Sequence, residues 1–179
     1  MAKLILVFQL LFLAAIEPSQ SARTWARRLQ ETQTLVQFYS HETRSGNNPT
    51  SVRVAQDSNT DKSSTLFGAI FMADDPLTES PDPNSKLVGR AQGLYGSAGQ
   101  TETSMITVMS YAFTDGTYSG SSINLLGKNS AQSQVREIPI VGGTGTFRSA
   151  RGYAIARTYS QDSNTGDAVI GYNVTIFHD

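Results

Sequence analysis

Two charged residues, Glu42 and Arg151, share extended stretches with aromatic side chains, and this combination can hold an aromatic ligand and exchange protons with it. Alternate residues of a strand face the same side, so Glu42 lies on the face of Phe38 and Arg151 on the face of Phe147. A carboxyl group among aromatic rings can accept a proton from a ligand oxygen or donate one to it. The structural alternative for Glu42 is a solvent-exposed position. For Arg151 the alternative is an ion pair with Glu42 or Asp74.

Two further carboxylates, Asp74 and Asp75, are adjacent in the sequence. On a strand, neighbouring side chains point to opposite faces, so these two cannot converge on one ligand atom. Asp74 shares its face with Ile70 and Met72 and is predicted to be the one that faces the interior. A turn-capping role before Pro76 is the alternative for at least one of them.

The composition excludes several classes of function. The chain has no Cys and 2 His, which makes a transition-metal site improbable, and no redox-cofactor motif is present. The glycine-rich stretch 142–145 lacks the Lys-Ser/Thr that completes a phosphate-binding loop. A formal net charge of -1 argues against nucleic acid as the main partner. We therefore expect no metal, no cofactor and no oxidation of substrate by the protein itself.

The elements that must position these residues are strands. Short runs rich in Val, Ile, Tyr, Phe and Thr alternate with clusters of Gly, Ser, Asn and Asp, without a sustained helical period. This pattern predicts an all-β domain, either a sandwich or a small barrel. The predicted strands lie near 34–42, 50–56, 65–73, 86–95, 103–113, 117–126, 134–141, 147–158 and 168–177. The proline-bearing stretch 74–85 is predicted to be a surface loop.

Several ordered motifs resemble those of the plant dirigent family. The resemblance rests on Asp74–Thr78, Leu87–Tyr95, Val141–Phe147 and Ala150–Ala154, and extends to Phe38–Glu42, Gly166–Val169 and Tyr172–Val174. It covers nearly all of the chain after residue 34 and implies a single domain, an eight-stranded antiparallel β-barrel. An eight-stranded barrel is about wide enough to hold one small ligand.

The same resemblance implies which side chains surround the ligand. The implied binding residues are Phe38, Asp74, Tyr95, Tyr111, Thr146 and Phe147, with Glu42 and Arg151 as the catalytic polar groups. His41-Glu42 replaces the His-Asp pair that is common in the family, which keeps the carboxylate but lengthens it by one methylene. Thr146 stands where members that direct lignan coupling carry Asp, and this difference argues for another phenolic substrate.

Two functions follow from the resemblance. The first is a secreted guide that gives stereoselectivity to the coupling of phenoxy radicals, with a separate laccase or peroxidase as the radical source. The alternative is a dehydrating cyclase that converts isoflavonoid-type alcohols through a quinone methide. Members of the family form homo-oligomers, so a dimer or trimer is expected. A wall protein that binds a polymer without turnover is a third hypothesis, to which the single Trp25 gives little support.

The N-terminal residues predict secretion. Lys3 precedes an apolar run from Leu4 to Ile16, and small residues follow at Ser19 and Ser21, as in a secretory signal peptide. The predicted organisation is a signal at 1–21, a flexible basic arm at 22–33 and the barrel at 34–179, in an apoplastic protein without a membrane span. Asn173 begins an Asn-Val-Thr sequon and is predicted to point outward, where a glycan is possible.

Overall fold

The computed structural model describes residues 31–179, so the predicted signal at 1–21 and most of the predicted arm at 22–33 lie outside the described residues. Nine strands follow one another with almost no helix between them. They are β1 Thr32–Glu42, β2 Ser51–Ala55, β3 Ile70–Thr78, β4 Leu87–Ser97, β5 Met105–Phe113, β6 Ser122–Asn129, β7 Arg136–Thr144, β8 Arg151–Gln161 and β9 Ala168–His178. Short 3₁₀ turns occur at Thr60–Lys62 and Gly145–Phe147.

Eight of these strands form a closed antiparallel barrel, as predicted. The neighbours run in the order β1-β9-β8-β7-β6-β5-β4-β3, and pairing of Tyr39 with Thr78 joins β1 to β3 and closes the ring. The short β2 pairs with β3 only and lies outside the ring. The closing contact pairs Tyr39 and Ser40 of β1 with Thr78 and Leu77 of β3, so the two end strands of the ring cover part of each other's edge.

The third strand differs most from its predicted position. It was expected at 65–73 but runs from Ile70 to Thr78 and includes Pro76. Leu66 and Gly68 have positive φ angles of 56° and 90°, which extended backbone does not allow, and this delays the start. Pro76 is tolerated because it falls in the gap between β2 and β1 along one edge of β3, where no ladder bond needs its missing N–H.

One end of the barrel is filled by aromatic rings. Phe38 packs against Tyr111 and Tyr172, with both ring centroids 5.4 Å away. Phe147, which is fully buried, packs against Tyr118 at 5.0 Å. These rings close the end at which β5 and β7 finish and leave space at the other end, where β1 and β4 finish.

Replacing Phe147 by alanine is expected to lower the free energy of unfolding by about 3–5 kcal/mol, because a buried ring would leave a cavity between strands that cannot collapse. Denaturant unfolding measures this loss. Thr146→Ala is the matched control, since Thr146 is exposed and a surface change is expected to stay within about 0.5 kcal/mol. Equal stabilities of the two variants would contradict the closing role of Phe147.

Candidate functional site

A cavity occupies the open end of the barrel. Its mouth lies among the last residues of β1, β4, β6 and β8 and the first residues of β5, β7 and β9. The cavity itself has a volume of about 90 Å³, and the space outside the atoms reaches about 720 Å³ when the open solvent at its mouth is included. The wall is mixed: methionine and tyrosine side chains alternate with a few charged groups, as in sites for small aromatic ligands.

Glu42 lies in this wall, as predicted, within a three-residue network. Its Oε1 accepts a hydrogen bond from Arg44 Nε at 2.8 Å and another from the hydroxyl of Tyr95. Arg44 Nη2 also donates to the Tyr95 hydroxyl oxygen at 2.7 Å. Burial, reinforced by the negative charge of Glu42, raises the pKa of Tyr95. The site therefore presents an ion-paired carboxylate beside a neutral phenol.

A loop from the far end of the chain holds Arg44 in place. Asp167 Oδ1 accepts hydrogen bonds from the backbone N–H groups of Arg44, at 2.7 Å, and Ser45, at 3.0 Å. The Ser45 hydroxyl donates to Oδ2 at 2.6 Å, and this bond contributes most to the lowered pKa of Asp167. The guanidinium of Arg44 also lies over the Phe71 ring, 4.7 Å from its centroid. Arg44 is thus fixed between the loop and the cavity.

Asp75, not Asp74, faces the cavity. Asp75 is 5% exposed and lines the wall, and Thr50 Oγ1 donates to its Oδ1 at 2.6 Å. Burial raises the pKa of Asp75 to about 7, and the nearby charge of Glu42 adds to the effect. Asp74 is exposed and pairs with Arg90 outside the barrel. The predicted interior position of Asp74 is therefore wrong, because the strand presents its other face inward.

The raised pKa of Asp75 makes stability depend on pH. An unfolded Asp has a pKa of about 3.9, so the folded state retains a proton that the unfolded state loses between about pH 4 and 7. This contribution is fully present below pH 4 and is lost as the pH rises through about 7. We expect the unfolding free energy of wild type, relative to Asp75→Asn, to fall by about 2–4 kcal/mol from pH 4 to pH 8. A difference that does not change with pH would contradict the buried position of the carboxyl.

Two tyrosines form the floor of the cavity. Tyr111 was predicted to line it and does so, and Tyr172 joins it from the other side. Their ring centroids are 5.3 Å apart in an edge-to-face arrangement. Burial raises the pKa of both phenols, which stay neutral. Phe38 lies beneath these rings and supports them, so it acts through its neighbours and not in the cavity wall.

Three residues predicted to line the cavity lie at the closed end instead. Arg151 and Thr146 are exposed, and Phe147 packs among the aromatic rings that fill this end of the barrel. The guanidinium of Arg151 lies 5.5 Å from the centroid of the Phe177 ring. Their predicted place in the cavity wall is therefore wrong. The alternation counted from Phe147 does not hold, because β8 begins only at Arg151 and Ser149 has a φ of 60°.

The sequence reasoning missed Arg136 and Arg44. Arg136 is 5% exposed, lines the cavity, and donates from Nη1 to Thr158 Oγ1 at 2.9 Å. The sequence pattern did indicate an inward position for Arg136, because Arg136 alternates in phase with the buried Ile138 and Ile140. Among residues 31–179, no three His, Asp or Glu side chains come together as metal ligands.

Two remaining predictions concern the outer surface and the membrane. Asn173 is exposed on the outer face of β9, between the buried Tyr172 and Val174, which is the predicted orientation. Within the described part of the chain, no helix is long and apolar enough to cross a membrane.

Comparison with known proteins agrees with this architecture. The family model for "Dirigent-like protein" matches residues 33–177. Dirigent protein 23 of Arabidopsis thaliana is 56% identical over 97% of this chain and 95% of its own length. Pterocarpan synthase 1 of Glycyrrhiza echinata is 46% identical over 83% of this chain and 80% of its own length. A solved structure of a pterocarpan synthase dirigent protein superimposes with a TM-score of 0.78 at 45% identity, covering 83% of this chain and 97% of the other. The chain described here therefore belongs to the dirigent protein family.

Proposed function

We propose that this protein is a dehydrating cyclase of phenolic alcohols, acting through a quinone methide. The observation that carries the proposal is Asp75, a buried carboxyl group in the cavity wall with a pKa of about 7. A carboxylic acid that is still protonated near neutral pH can donate its proton to a departing hydroxyl group. Relatives of similar length named pterocarpan synthase lend further support.

The two cavity carboxyl groups take opposite roles. Asp75 is protonated below about pH 7, whereas Glu42 is ion-paired with Arg44. Two acids whose environments differ in this way divide into a proton donor and a proton acceptor. Asp75 is accordingly the general acid, and Glu42 is the general base.

The reaction balances without an oxidant. Asp75 protonates the hydroxyl group of the ligand, the C–O bond breaks and water leaves, while Glu42 takes the proton of the conjugated phenol to give the quinone methide. A second phenol of the ligand then attacks the carbon that lost the hydroxyl. Its proton returns to Asp75, and Glu42 returns its proton to the restored phenol. The net change is loss of one water, and Tyr95 stabilises the base through its hydrogen bond to Glu42.

Stereochemical guidance of radical coupling is the second candidate function, and a neighbouring cavity supports it. This second space shares Arg44, Tyr95 and Met105 with the main cavity and extends toward Phe71. Two adjoining spaces can hold two aromatic reactants in one relative orientation, which would select one product. The radicals would come from a separate laccase or peroxidase.

Product analysis separates the two functions. One reaction offers coniferyl alcohol with a laccase, and the other offers an isoflavanol without oxidant. Conversion of the isoflavanol beside racemic coupling products supports the cyclase. Enantiomeric excess that requires the laccase, together with an unchanged isoflavanol, supports the guide and refutes the cyclase. Absence of both effects refutes both functions.

A homo-oligomer is part of the proposal, because the outer face of the sheet carries an apolar row. Val52, Met72, Val108 and Leu126 expose 46%, 45%, 40% and 46% of their surface, and register places them side by side across β2, β3, β5 and β6 with Leu94 between. Such a contiguous apolar patch is typical of an interface. Sedimentation velocity is expected to show a dimer or trimer that Val108→Lys weakens. A wild-type monomer at all concentrations would contradict it.

Secretion to the apoplast and a glycan on Asn173 complete the proposal. The signal-like pattern of residues 1–21 supports secretion. The exposed side chain of Asn173 supports the glycan. A mass shift of the secreted protein that disappears on glycosidase treatment and in Asn173→Gln tests the glycan.

A further inference from the structure

The turn that joins β8 to β9 folds back on itself and contacts the segment that follows β1. Within the turn, Gly166 N donates to the carbonyl oxygen of Asp162 at 2.8 Å, and Asp162 N donates to the carbonyl oxygen of Asp167 at 2.9 Å. The carboxylate of Asp167 reaches out of the turn and accepts the two backbone N–H groups of Arg44 and Ser45 and the hydroxyl of Ser45. One carboxylate thus ties two distant segments together.

This contact restrains both the backbone and the side-chain stem of Arg44. The pairing of β1 with β9 ends at Glu42, so the N–H groups of the next residues depend on Asp167 for their partner. Gly166 lies against the stem: a Cβ at this position would be 3.1 Å from Cδ of Arg44. Gly166 has a φ of 81°, which favours glycine and permits this close approach. The turn therefore limits the directions that the Arg44 side chain can take.

The restrained stem brings the guanidinium to the base. Arg44 Nε donates to Glu42 at 2.8 Å, and Nη2 donates to the Tyr95 hydroxyl oxygen at 2.7 Å. The Arg44 side chain is 25% exposed, so water competes for its donors on one side. An arginine has many rotamers, and only those directed inward place its charge on Glu42. The carboxylate side chain is itself only 12% exposed, and a buried carboxylate is costly without a nearby opposite charge.

We propose that Asp167 is a positioning residue, which holds the guanidinium of Arg44 on the carboxylate of Glu42 and on the Tyr95 hydroxyl. Asp167 is not part of the cavity wall and acts through Arg44. The consequence for catalysis rests on the proposed function, in which Glu42 takes the phenolic proton. The turn between β8 and β9 thereby becomes part of the catalytic machinery, although its carboxylate meets no ligand.

The Nε–H group of Arg44 reports the position of the guanidinium without any substrate. A hydrogen that is bonded to a carboxylate exchanges with water more slowly than a free one. Hydrogen-exchange NMR on the full-length protein measures this rate, and loss of the signal in Arg44→Gln assigns it. We expect Asp167→Ala to exchange this hydrogen at least about tenfold faster. Asp162→Ala is the matched control, because its carboxylate accepts backbone N–H groups of the same turn and does not contact Arg44.

Kinetics on an isoflavanol without oxidant measures the effect on the reaction. We expect Asp167→Ala to lower kcat by about 10- to 100-fold with KM within about twofold of wild type, since the base is misplaced while the cavity wall is intact. In the Arg44→Gln background the same change is expected to lower kcat no further, because the guanidinium is already absent. A merely structural role would not give this dependence. The backbone N–H groups remain in both backgrounds, so the loss of unfolding free energy should be the same in each.

A second variant keeps the test decisive if Asp167→Ala fails to fold. In Asp167→Asn the amide oxygen can still accept the backbone N–H groups, but the negative charge is lost. Hydrogen bonds to a neutral acceptor are weaker than those to a carboxylate. We expect exchange of the Arg44 Nε hydrogen to be at least about threefold faster in this variant.

Each outcome decides the proposal. Exchange of the Arg44 hydrogen that stays at the wild-type rate in folded Asp167 variants overturns it. Wild-type kcat in Asp167→Ala, or losses of kcat that multiply when Asp167→Ala is combined with Arg44→Gln, overturn it as well. If the wild-type protein dehydrates no phenolic alcohol, the cyclase is refuted and the exchange rate alone decides whether Asp167 positions Arg44. Turnover by wild type with unchanged exchange in the variants refutes the positioning role alone.

Discussion

Asp75→Asn is expected to lower kcat/KM for dehydration of a phenolic alcohol by about 10²–10⁴-fold below pH 7, where the wild-type carboxyl is protonated. Asparagine has almost the same shape and can still accept the hydrogen bond from Thr50, so the wall of the cavity stays in place. It cannot supply an acidic proton to the departing hydroxyl. Steady-state kinetics on an isoflavanol, without oxidant, measures the loss.

The adjacent residue provides the control for this prediction. Asp74→Asn makes the same chemical change one position away, on the outer surface of the barrel, and removes only an exposed ion pair with Arg90. We expect this variant to retain wild-type kcat/KM. If both variants, or neither, lose activity, Asp75 is not the general acid.

Glu42→Gln is expected to lower kcat/KM by about 10²-fold or more, mainly through kcat, because the amide cannot take the phenolic proton. The amide oxygen can still accept hydrogen bonds from Arg44 and Tyr95, so the network around the site changes little. Glu42→Asp retains the carboxylate with one methylene fewer and is expected to recover part of the activity. Circular dichroism checks that each variant keeps the barrel.

Variants at the closed end serve as matched controls for Glu42. Thr146→Asp introduces a carboxylate at the closed end, and Arg151→Lys shortens a side chain that was predicted to line the cavity. Both side chains are exposed at the opposite end of the barrel, so we expect neither change to alter kcat/KM. A loss of activity in Arg151→Lys comparable to that in Glu42→Gln would show that the closed end takes part in the reaction.

The sequence predicted the barrel and three of the residues that line its cavity, Glu42, Tyr95 and Tyr111. The resemblance to the dirigent family implied that these three residues line the cavity, and they do. The resemblance to the dirigent family supplied the closure into eight strands, which alternation alone left open between a sandwich and a barrel.

The interior acid could not be assigned from the sequence, because β3 is apolar on both faces. Phe71 and Ala73 face the interior with Asp75, whereas Ile70 and Met72 face outward with Asp74. Alternation gives the two sets but not which set is inside. The outer set belongs to the exposed apolar row, a feature that depends on the neighbouring strands and is absent from the local pattern.

The prediction of the site missed Arg44 and misplaced Arg151, for different reasons. Arg44 follows the end of β1, and its position depends on hydrogen bonds to Asp167, 123 residues away in the sequence. Arg151 was assigned by counting alternate residues across 145–150, which form a turn and not a strand. Local periodicity carries no information about either arrangement.

The pH dependence of oxidant-free dehydration tests the central claim most directly. The rate of water loss from an isoflavanol is measured with the wild-type protein from about pH 5 to pH 9, a range that brackets the pKa of Asp75 at about 7. The account predicts that kcat falls as the pH rises through about 7, because Asp75 then loses the proton that it must donate. Water loss that is independent of pH across this range, or that requires an added oxidant, would contradict it.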